Sequence, residues 1–253
     1  MRTDLNAEGD FSAQIAASIR DAIVSGKLMV DARLPSEAEL AETFGVSRPT
    51  VREALKRLAA QSLIRTQRGA TGGAFVNRVS FDEVQSSLIT LSTLLLSMNA
   101  IDFETACEAR YALERSCVQL AAERRAPDHL AAMRAEIARQ ATDGLPDTSF
   151  CASDVAFHRA LVDAAGNPIL SLHLAGAVEA MQPLMNMVTF RARSRQKIIG
   201  FHVRIADAIE ARDAPSAEAA LSELASYTAL LGGEARALRT AASAPVAQSP
   251  KRA

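Results

Sequence analysis

Residues 11–78 constrain the fold most strongly, because their hydrophobic period is that of helices at first and changes once, to that of strands. Ile15, Ile19 and Ile23 recur at intervals of four residues, which is the spacing of one face of an α-helix. This spacing predicts an amphipathic helix over residues 11–25. A short helix that buries one stripe needs further elements to cover that stripe, so the following residues must supply them.

Two more helices are predicted directly after the first. Ser36 and Glu39 have the spacing of a capping box, in which each side chain accepts a hydrogen bond from the backbone N–H of the other residue at a helix start. Ser47 is placed to cap a third helix over residues 48–61, where Pro49 is tolerated in the first turn. The residues expected on the buried stripe of the third helix are Val51, Leu55 and Leu58.

After the third helix, the spacing of hydrophobic residues shortens to two residues, which is the period of a β-strand. Residues 63–68 and 73–78 are short β-prone runs, and the glycine-containing segment 69–72 separates them, which predicts a β-hairpin. Three helices followed by a hairpin form a winged helix-turn-helix. This arrangement is therefore the fold expected for residues 11–78.

The rest of the chain shows only helical periodicity, interrupted by short loops that contain Gly or Pro. The fold class expected is mainly α, with an N-terminal winged helix-turn-helix and a C-terminal all-α helical bundle. Helices are expected over residues 81–97, 102–124, 127–141, 149–165, 168–191, 196–211 and 215–232. The domain boundaries expected are 1–10 for a flexible N-terminus, 11–78 for the winged domain, 79–235 for the bundle and 236–253 for a disordered tail.

Composition excludes several classes of protein. The chain has three cysteines without a CxxC spacing, which favours neither a disulfide framework nor a thiolate zinc site. Its longest apolar stretch, residues 88–101, is interrupted by polar side chains and is too short to span a bilayer. The N-terminus has acidic residues instead of the basic start of a signal peptide. We expect a soluble cytoplasmic protein that does not enter a membrane.

The charge is distributed unevenly along the chain. The formal net charge is -1 for the whole chain, whereas residues 47–78 contain seven basic residues and one acid, a local charge of +6. The seven basic residues are Arg48, Arg52, Lys56, Arg57, Arg65, Arg68 and Arg78. Such a segment favours binding to phosphates, although a basic run is more often only a solvated helix face.

The third helix and the hairpin place this charge where a winged helix-turn-helix contacts DNA. Arg48 and Arg52 are four residues apart on the exposed face, and Thr50 lies at the start of the helix. In this fold, the N-terminal residues of the recognition helix contact base edges in the major groove. Arg68, at the tip of the wing, can reach a phosphate or the neighbouring minor groove. The coincidence of charge, cap and hairpin predicts binding to double-stranded DNA.

The segment LPSEAELAETFGVSRPTVREALKRLAAQSLIRTQRGATGGAFV resembles the DNA-binding domain of GntR-family bacterial transcription regulators, over residues 11–78. The resemblance implies DNA contacts at Ser47, Arg48, Thr50, Arg52, Arg68 and Gly69. One position differs, because Ala38 stands where the family commonly has an arginine at the start of the second helix. Alanine cannot make that base contact.

The remaining helices resemble the FCD effector domain of the FadR subgroup, over residues 81–232. The resemblance is carried by residues 108–114 (EARYALE), 154–161 (DVAFHRAL) and 166–168 (GNP), and by His202, residues 208–209 (AI) and Asp213. The two resemblances together cover nearly the whole chain.

Three of these residues form a candidate site for a divalent metal. Asp154 and His158 lie four residues apart on one helix face, and His202 can join them from another helix. The resemblance implies that these positions bind metal together with a fourth histidine, which falls on Leu224 here. The incomplete site is expected to hold zinc, nickel or manganese. Alternatively, the first two are an ordinary helix-face pair and His202 is a core histidine.

Arg110 is the candidate for binding an effector. The resemblance implies that this arginine faces the helical cavity, and a guanidinium matches a carboxylate with two parallel hydrogen bonds. The alternative is an ion pair with Glu114, four residues further along the same helix. Two isolated histidines, His129 and His173, and the basic run from Arg191 to Lys197 are expected to be structural or solvated.

These observations predict a transcription regulator instead of an enzyme. It is expected to be a repressor that binds a palindromic operator as a homodimer and responds to a small organic or sugar acid, with metal assistance. Two alternatives remain open. One is a metal-free regulator of the FadR type that responds to acyl-CoA, and the other is a metal-dependent hydrolase that uses Asp154, His158 and His202.

Overall fold

The computed structural model describes residues 9–69, 72–98, 100–183, 185 and 193–243, and the side chains among them as far as residue 234. The protein is mostly helical, and the described residues form ten helices and one two-stranded sheet. The chain divides into two compact units, residues 1–80 and 81–253. Within the described residues, none of the helices combines the length and apolarity needed to cross a membrane.

The first unit is a winged helix-turn-helix, which confirms the predicted fold class. Its elements are α1 (Phe11–Val24), α2 (Glu37–Phe44), α3 (Arg48–Ala60), β1 (Ile64–Gln67) and β2 (Gly73–Val76). The predicted capping box is formed: the backbone N–H of Glu39 donates to Ser36 Oγ, and the N–H of Ser36 donates to Glu39 Oε2. The two strands are antiparallel, with Ile64 opposite Val76.

The core of this unit lies between α1, α2 and α3. Its buried side chains include Ile15, Ile19, Leu40, Phe44, Val51, Ala54, Leu58 and Ile64. Leu55, expected on the buried stripe of α3, is only half-buried, and Ala54 is buried instead. Because α1 packs closely against α3, the small side chain of Ala54 lies on the crowded side of the helix.

The wing turns at two glycines. Gly69 has φ +111°, in the region that favours glycine, and its carbonyl accepts a hydrogen bond of 2.9 Å from the N–H of Gly72. A Cβ atom at Gly72 would collide with the carbonyl oxygen of Gln67. The turn therefore requires glycine at both positions, while residues 70 and 71 lie outside the described part of the chain.

The second unit is a bundle of helices, as predicted. It contains α4 (Phe81–Ser97), α5 (Phe103–Arg124), α6 (Pro127–Gln140), α7 (Asp147–Ala164), α8 (Pro168–Val178), α9 (Arg195–Glu210) and α10 (Ala214–Ser243). Helix α7 packs against α5, α6 and α8, and α5 also packs against α10. This packing buries Tyr111, Phe157, Leu161 and Ile205 and brings the middles of α5, α7 and α9 together.

Two helix ends differ from the expected ones. Helix α10 extends to Ser243, so it continues past residue 235 into the segment for which the sequence predicts disorder, because residues 234–243 have no proline and are rich in Ala, Leu and Arg. Helix α8 ends at Val178, whereas the expected helix runs to residue 191. Residues 186–192 and 244–253 lie outside the described residues.

Candidate functional site

The exposed face of α3 presents the side chains expected to contact DNA. Ser47 caps the helix by accepting a hydrogen bond from the N–H of Thr50. The two hydroxyl oxygens are also hydrogen bonded, at 2.8 Å. Arg48 and Arg52 are both exposed, one turn apart on this helix. The cap therefore orders the start of the helix and fixes the Thr50 hydroxyl near two exposed cationic side chains.

Arg52 is held by an acid that the sequence analysis does not single out. Its Nε and Nη2 atoms donate to the two carboxylate oxygens of Glu37, at 3.1 and 2.7 Å. These hydrogen bonds hold the pKa of the Glu37 carboxyl below its usual range. The fork occupies one edge of the guanidinium and leaves the Nη1 side free to donate elsewhere. The pair joins α2 to α3 across 15 residues of sequence, so no local pattern indicates it.

Acids outside residues 47–78 reduce the positive charge of this surface. Asp31 pairs with Arg65 and Arg78, Asp10 with Arg57, and Glu37 with Arg52. These three acids lower the charge of +6 to +3. Two of the basic side chains, Arg48 and Arg68, have no ion pair among the described residues.

The wing presents Arg68 and Gly69 to solvent at the end of β1. The turn of the wing is held by Arg33, whose Nη2 atom donates to the carbonyl of Gly72 at 2.6 Å. Arg33 also forms a β-bridge with Phe75. The wing is therefore braced from the segment before α2, which leaves Arg68 free for an external partner.

In the second unit, the three predicted metal ligands converge. Asp154 and His158 lie on α7 and His202 on α9, and one ligand atom from each lies within 4.8 Å of the others. His202 Nε2 is 3.5 Å from Asp154 Oδ1. Both histidines are fully buried, and the Asp154 side chain is 16% exposed. The fold therefore brings the three side chains together into one cluster.

The outer atoms of both histidines are held by acceptors. His158 Nδ1 lies 2.6 Å from Glu114 Oε2, and His202 Nδ1 lies 2.8 Å from Gln140 Oε1. An oxygen acceptor requires the hydrogen on Nδ1, which leaves the lone pair on Nε2. Neither Nε2 atom has a hydrogen-bond partner in the part of the chain that the structure describes. Two buried nitrogen lone pairs beside a carboxylate fit a divalent cation.

The electrostatics of the cluster also suit a cation. Burial lowers the pKa of His202 to about 3, so its imidazole is neutral near pH 7, the form that binds metal. Burial alone would raise the pKa of Glu114, but the charge of Arg110 and the hydrogen bonds from His158 and Arg110 lower it to about 2. Glu114 is therefore an ionised carboxylate at the centre of a buried network.

Arg110 takes part in the same network. It is fully buried, and its Nε atom donates to Glu114 Oε1 at 2.7 Å, so the ion pair considered in the sequence analysis is present. Its Nη2 atom lies 3.9 Å from Asp154 Oδ2. Neither Nη atom has a hydrogen-bond partner among the described residues. Arg110 thus keeps two donor groups next to Asp154.

A cavity of about 20 Å³ lies beside Asp154. Leu224, which stands where the family pattern has a fourth histidine, lines it and is buried. Tyr111 and Thr228 also line it, and their hydroxyl groups are hydrogen bonded to each other at 2.9 Å. Because a water molecule needs about 10–15 Å³, the cavity has room for one water molecule and must widen to admit an organic acid.

The cavity is also lined by an arginine that is expected from the sequence to be solvated. Arg193 lines it, and its side chain is only 4% exposed. Arg195 is one-third exposed, and Lys197 is exposed, whereas Arg191 lies outside the described residues. The interpretation is therefore wrong for Arg193. No local pattern in the sequence separates Arg193 from the other basic residues of this run.

The two isolated histidines lie apart from the cluster. His129 Nδ1 accepts a hydrogen bond of 3.1 Å from the N–H of Ala126 at the start of α6, and His173 is exposed. His129 therefore has a structural role as a cap.

Comparison with known proteins gives matches over both units. The model of bacterial regulatory proteins of the GntR family matches residues 11–76, and the FCD domain model matches residues 105–226. The HTH-type transcriptional repressor NanR of Escherichia coli K12 is 35% identical over 196 residues, which cover 75% of this chain and 72% of NanR. The chain belongs to the GntR family.

This GntR-family protein is a DNA-binding transcription regulator with an FCD effector domain. The NanR of Cronobacter sakazakii is 33% identical over 74% of this chain and 72% of its own length. Because these relatives are regulators, the prediction of a regulator instead of an enzyme is confirmed, and the hydrolase alternative is set aside.

A solved structure agrees with the fold of this GntR-family protein. The Streptococcus agalactiae GntR has a TM-score of 0.52 and 24% sequence identity, and the match covers 89% of this chain and 99% of that protein. This similarity concerns the fold alone.

Proposed function

We propose that this regulator is a repressor whose binding to its operator is controlled by a small organic or sugar acid held, with a divalent metal, in the FCD domain. The observation that carries the proposal is the convergence of Asp154, His158 and His202 beside a cavity. Curated relatives of the chain are repressors by name, which supports the sign of regulation.

DNA recognition is assigned to α3 and the wing. Arg48 and Arg52 are placed to contact guanine in the major groove, with Thr50 and Ser47 beside them at the helix start. In the wing, Arg68 and Gly69 contact the minor groove or a phosphate. The exposure of Arg48 and Arg52 supports this assignment, as does the absence of an ion pair at Arg48 among the described residues.

The experiment that tests DNA recognition compares two substitutions on α3. Arg52→Ala is expected to weaken binding to the palindrome beside the gene by about 1–3 kcal/mol and to relax the preference at one base pair. Lys56→Ala is the matched control, because it removes a phosphate contact. It should weaken binding to all sequences alike and reduce the salt slope by about 1. Gel shifts in which Arg52→Ala loses nothing would refute the assignment of Arg52.

A homodimer is proposed because one recognition helix contacts only a few base pairs, whereas a two-fold dimer contacts a palindrome. Helix α4 supports this, since several of its apolar side chains are exposed: Leu91 is 61% exposed, Leu94 52% and Leu95 47%. An exposed apolar face of this kind is typical of a protein interface.

The dimer is tested by sedimentation of the full-length protein. Leu91→Glu is expected to shift the population towards monomer, because it places a charge on the apolar face of α4. Ser86→Glu adds the same charge at an exposed polar position on a different face of the helix and should leave the dimer intact. A Leu91→Glu protein that sediments as the wild type does would contradict this interface.

The metal is assigned to Asp154, His158 and His202, with zinc, nickel or manganese as the ion. When bound, the ion supplies a fixed positive charge that attracts an acid group of the effector into its open positions. The unpaired Nη groups of Arg110 lie next to Asp154 and are proposed to donate to the same acid group. Leu224 supplies no ligand, which keeps one further position open.

Elemental analysis of protein purified without a polyhistidine tag tests the metal. We expect a bound ion in the wild type, and we expect Asp154→Ala and His158→Ala each to remove it. An empty wild-type site would favour the metal-free alternative, a regulator that responds to acyl-CoA. Leu224 in place of a ligand is the observation that keeps that alternative open, and titration with acyl-CoA against sugar acids decides between the two.

A further inference from the structure

Arg193 lines the same cavity as Asp154, one of the candidate metal ligands. Its guanidinium stacks over the Phe150 ring, 5.4 Å from the ring centre, and its Nη1 atom contacts Cys151 Sγ. The side chain is 96% buried, and its Nε atom has no hydrogen-bond partner in the described ranges. A buried guanidinium with an unused donor, on the wall of a cavity, is placed to bind an acceptor.

The charge of Arg193 is only partly neutralised. Its one acidic neighbour among the described residues, Asp147, lies at 3.3 Å but makes a shorter contact of 2.6 Å with Arg195. Two guanidiniums therefore share one carboxylate. Burial raises the pKa of the Cys151 thiol, so this group stays neutral and offers no compensation. One positive charge beside Arg193 is therefore left without an acidic partner. A buried charge without a partner is costly.

With a divalent metal bound, the surroundings of Asp154 would also carry one excess positive charge. Arg110 and Glu114 neutralise each other, and Asp154 offsets only one of the two charges of a divalent ion. These two regions lie close together: Cys151, which contacts Arg193, is one helical turn from Asp154 on α7, about 4.5 Å along the axis. The wall between them includes the apolar side chains of Val155, Ile198 and Leu224.

We propose that Arg193 binds a second acid group of the effector, so that the cavity selects a short-chain dicarboxylate over a monocarboxylate. This inference rests on the proposed function, because it takes the first acid group to be held at the metal. One carboxylate of the effector lies at the metal and Arg110, and the other binds Arg193. A chain of about four carbons, counting the two carboxyl carbons, runs along the apolar wall between them. The two excess charges are then both neutralised by one ligand.

The test uses zinc-loaded, full-length protein and two probes with the same four-carbon chain, succinate and butyrate. Affinities are measured from the concentration dependence of thermal unfolding. We expect succinate to bind the wild type about tenfold or more tightly than butyrate, as one additional charge-assisted interaction provides. Arg193→Gln should abolish this preference and leave zinc content and butyrate binding unchanged.

Arg195→Gln is the matched control, because Arg195 shares Asp147 but is not among the residues that line the cavity. It should keep the preference for succinate. Should Arg193→Gln fold poorly, Arg193→Lys retains the charge without the fork and should show a reduced preference. Equal binding of the two probes by the wild type, or an unchanged preference in Arg193→Gln, would overturn the inference. Absence of binding by either probe would instead refute the proposed acid site.

Discussion

The Nδ1 atom of His158 lies 2.6 Å from the Oε2 atom of Glu114, in the fully buried centre of the FCD domain. The other oxygen of the same carboxylate accepts a hydrogen bond from Arg110. Glu114 therefore orients a candidate metal ligand and neutralises a buried cation at once. The orientation of His158 and the charge balance of Arg110 both depend on this one side chain.

Glu114→Gln is expected to destabilise the protein and to weaken metal binding. The substitution leaves the buried Arg110 charge without its partner, which costs about 3–5 kcal/mol in the free energy of unfolding. It also weakens the acceptor that orients His158, which lowers metal affinity by about 10- to 100-fold. Chemical denaturation and zinc titration measure the two effects.

Glu108→Gln is the control for Glu114→Gln, because Glu108 is exposed on the same helix. We expect it to change neither quantity. A Glu114→Gln protein with wild-type stability and zinc affinity would show that the network does not support the site.

The metal-free protein is expected to lose stability as the pH falls below about 6.5, because of His202. Its pKa is about 3 in the folded state, so between these values the unfolded state binds a proton that the folded state does not. The stability contribution is complete above pH 6.5 and is lost progressively towards pH 3. The free energy of unfolding should therefore fall by about 1.4 kcal/mol more per pH unit in the wild type than in His202→Gln.

Chemical denaturation in the presence of a metal chelator, at pH 6.0, 5.25 and 4.5, measures the slope of the free energy of unfolding against pH for each protein. Only the slopes are compared, since His202→Gln changes the absolute stability as well. Equal slopes for the two proteins would contradict a neutral, buried His202.

Glu37→Ala is expected to reduce the specificity of DNA binding more than its strength. Glu37 holds Arg52 by two hydrogen bonds, so its loss frees the guanidinium from the orientation in which it meets a base. Discrimination against a substituted guanine should fall by about 1–3 kcal/mol, the contribution of one bidentate contact. Binding to unrelated DNA should not weaken, because an acid has been removed from a surface that faces phosphates.

Gel shifts with the operator, a single-base variant and unrelated DNA measure the effect of Glu37→Ala. Glu42→Ala removes an exposed acid from the same helix and serves as the control. If Glu37→Ala and Glu42→Ala preserve the same discrimination, Glu37 does not position Arg52 on DNA.

Leu224→His is expected to strengthen metal binding. Leu224 is buried on the wall of the cavity that Asp154 lines, so an imidazole there supplies the nitrogen ligand that the family pattern has at this position. Leu231→His, two turns further along α10 on the same cavity, is the control and should not tighten binding. Zinc titration that finds Leu224→His no tighter than the wild type would place Leu224 outside the reach of the ion.

Much of the fold was predictable because its signals are local. The capping box of Ser36 and Glu39, the cap at Ser47 and the glycines of the wing act within four residues of sequence, so the elements of the winged domain follow from short-range patterns. The pairing of Asp154 with His158 on one face of α7 is local in the same sense.

The sequence by itself determined the winged helix, the helical bundle and the residue types that make DNA and metal binding plausible chemistry. Tertiary structure alone decided that Glu37 is hydrogen bonded to Arg52, 15 residues away in sequence, and that Gln140 orients His202, 62 residues away. It also decided that Arg193 lines the cavity. The physical reason is that a side chain's burial and partners depend on which helices pack together. Packing arises from contacts distant in sequence, which no local period encodes.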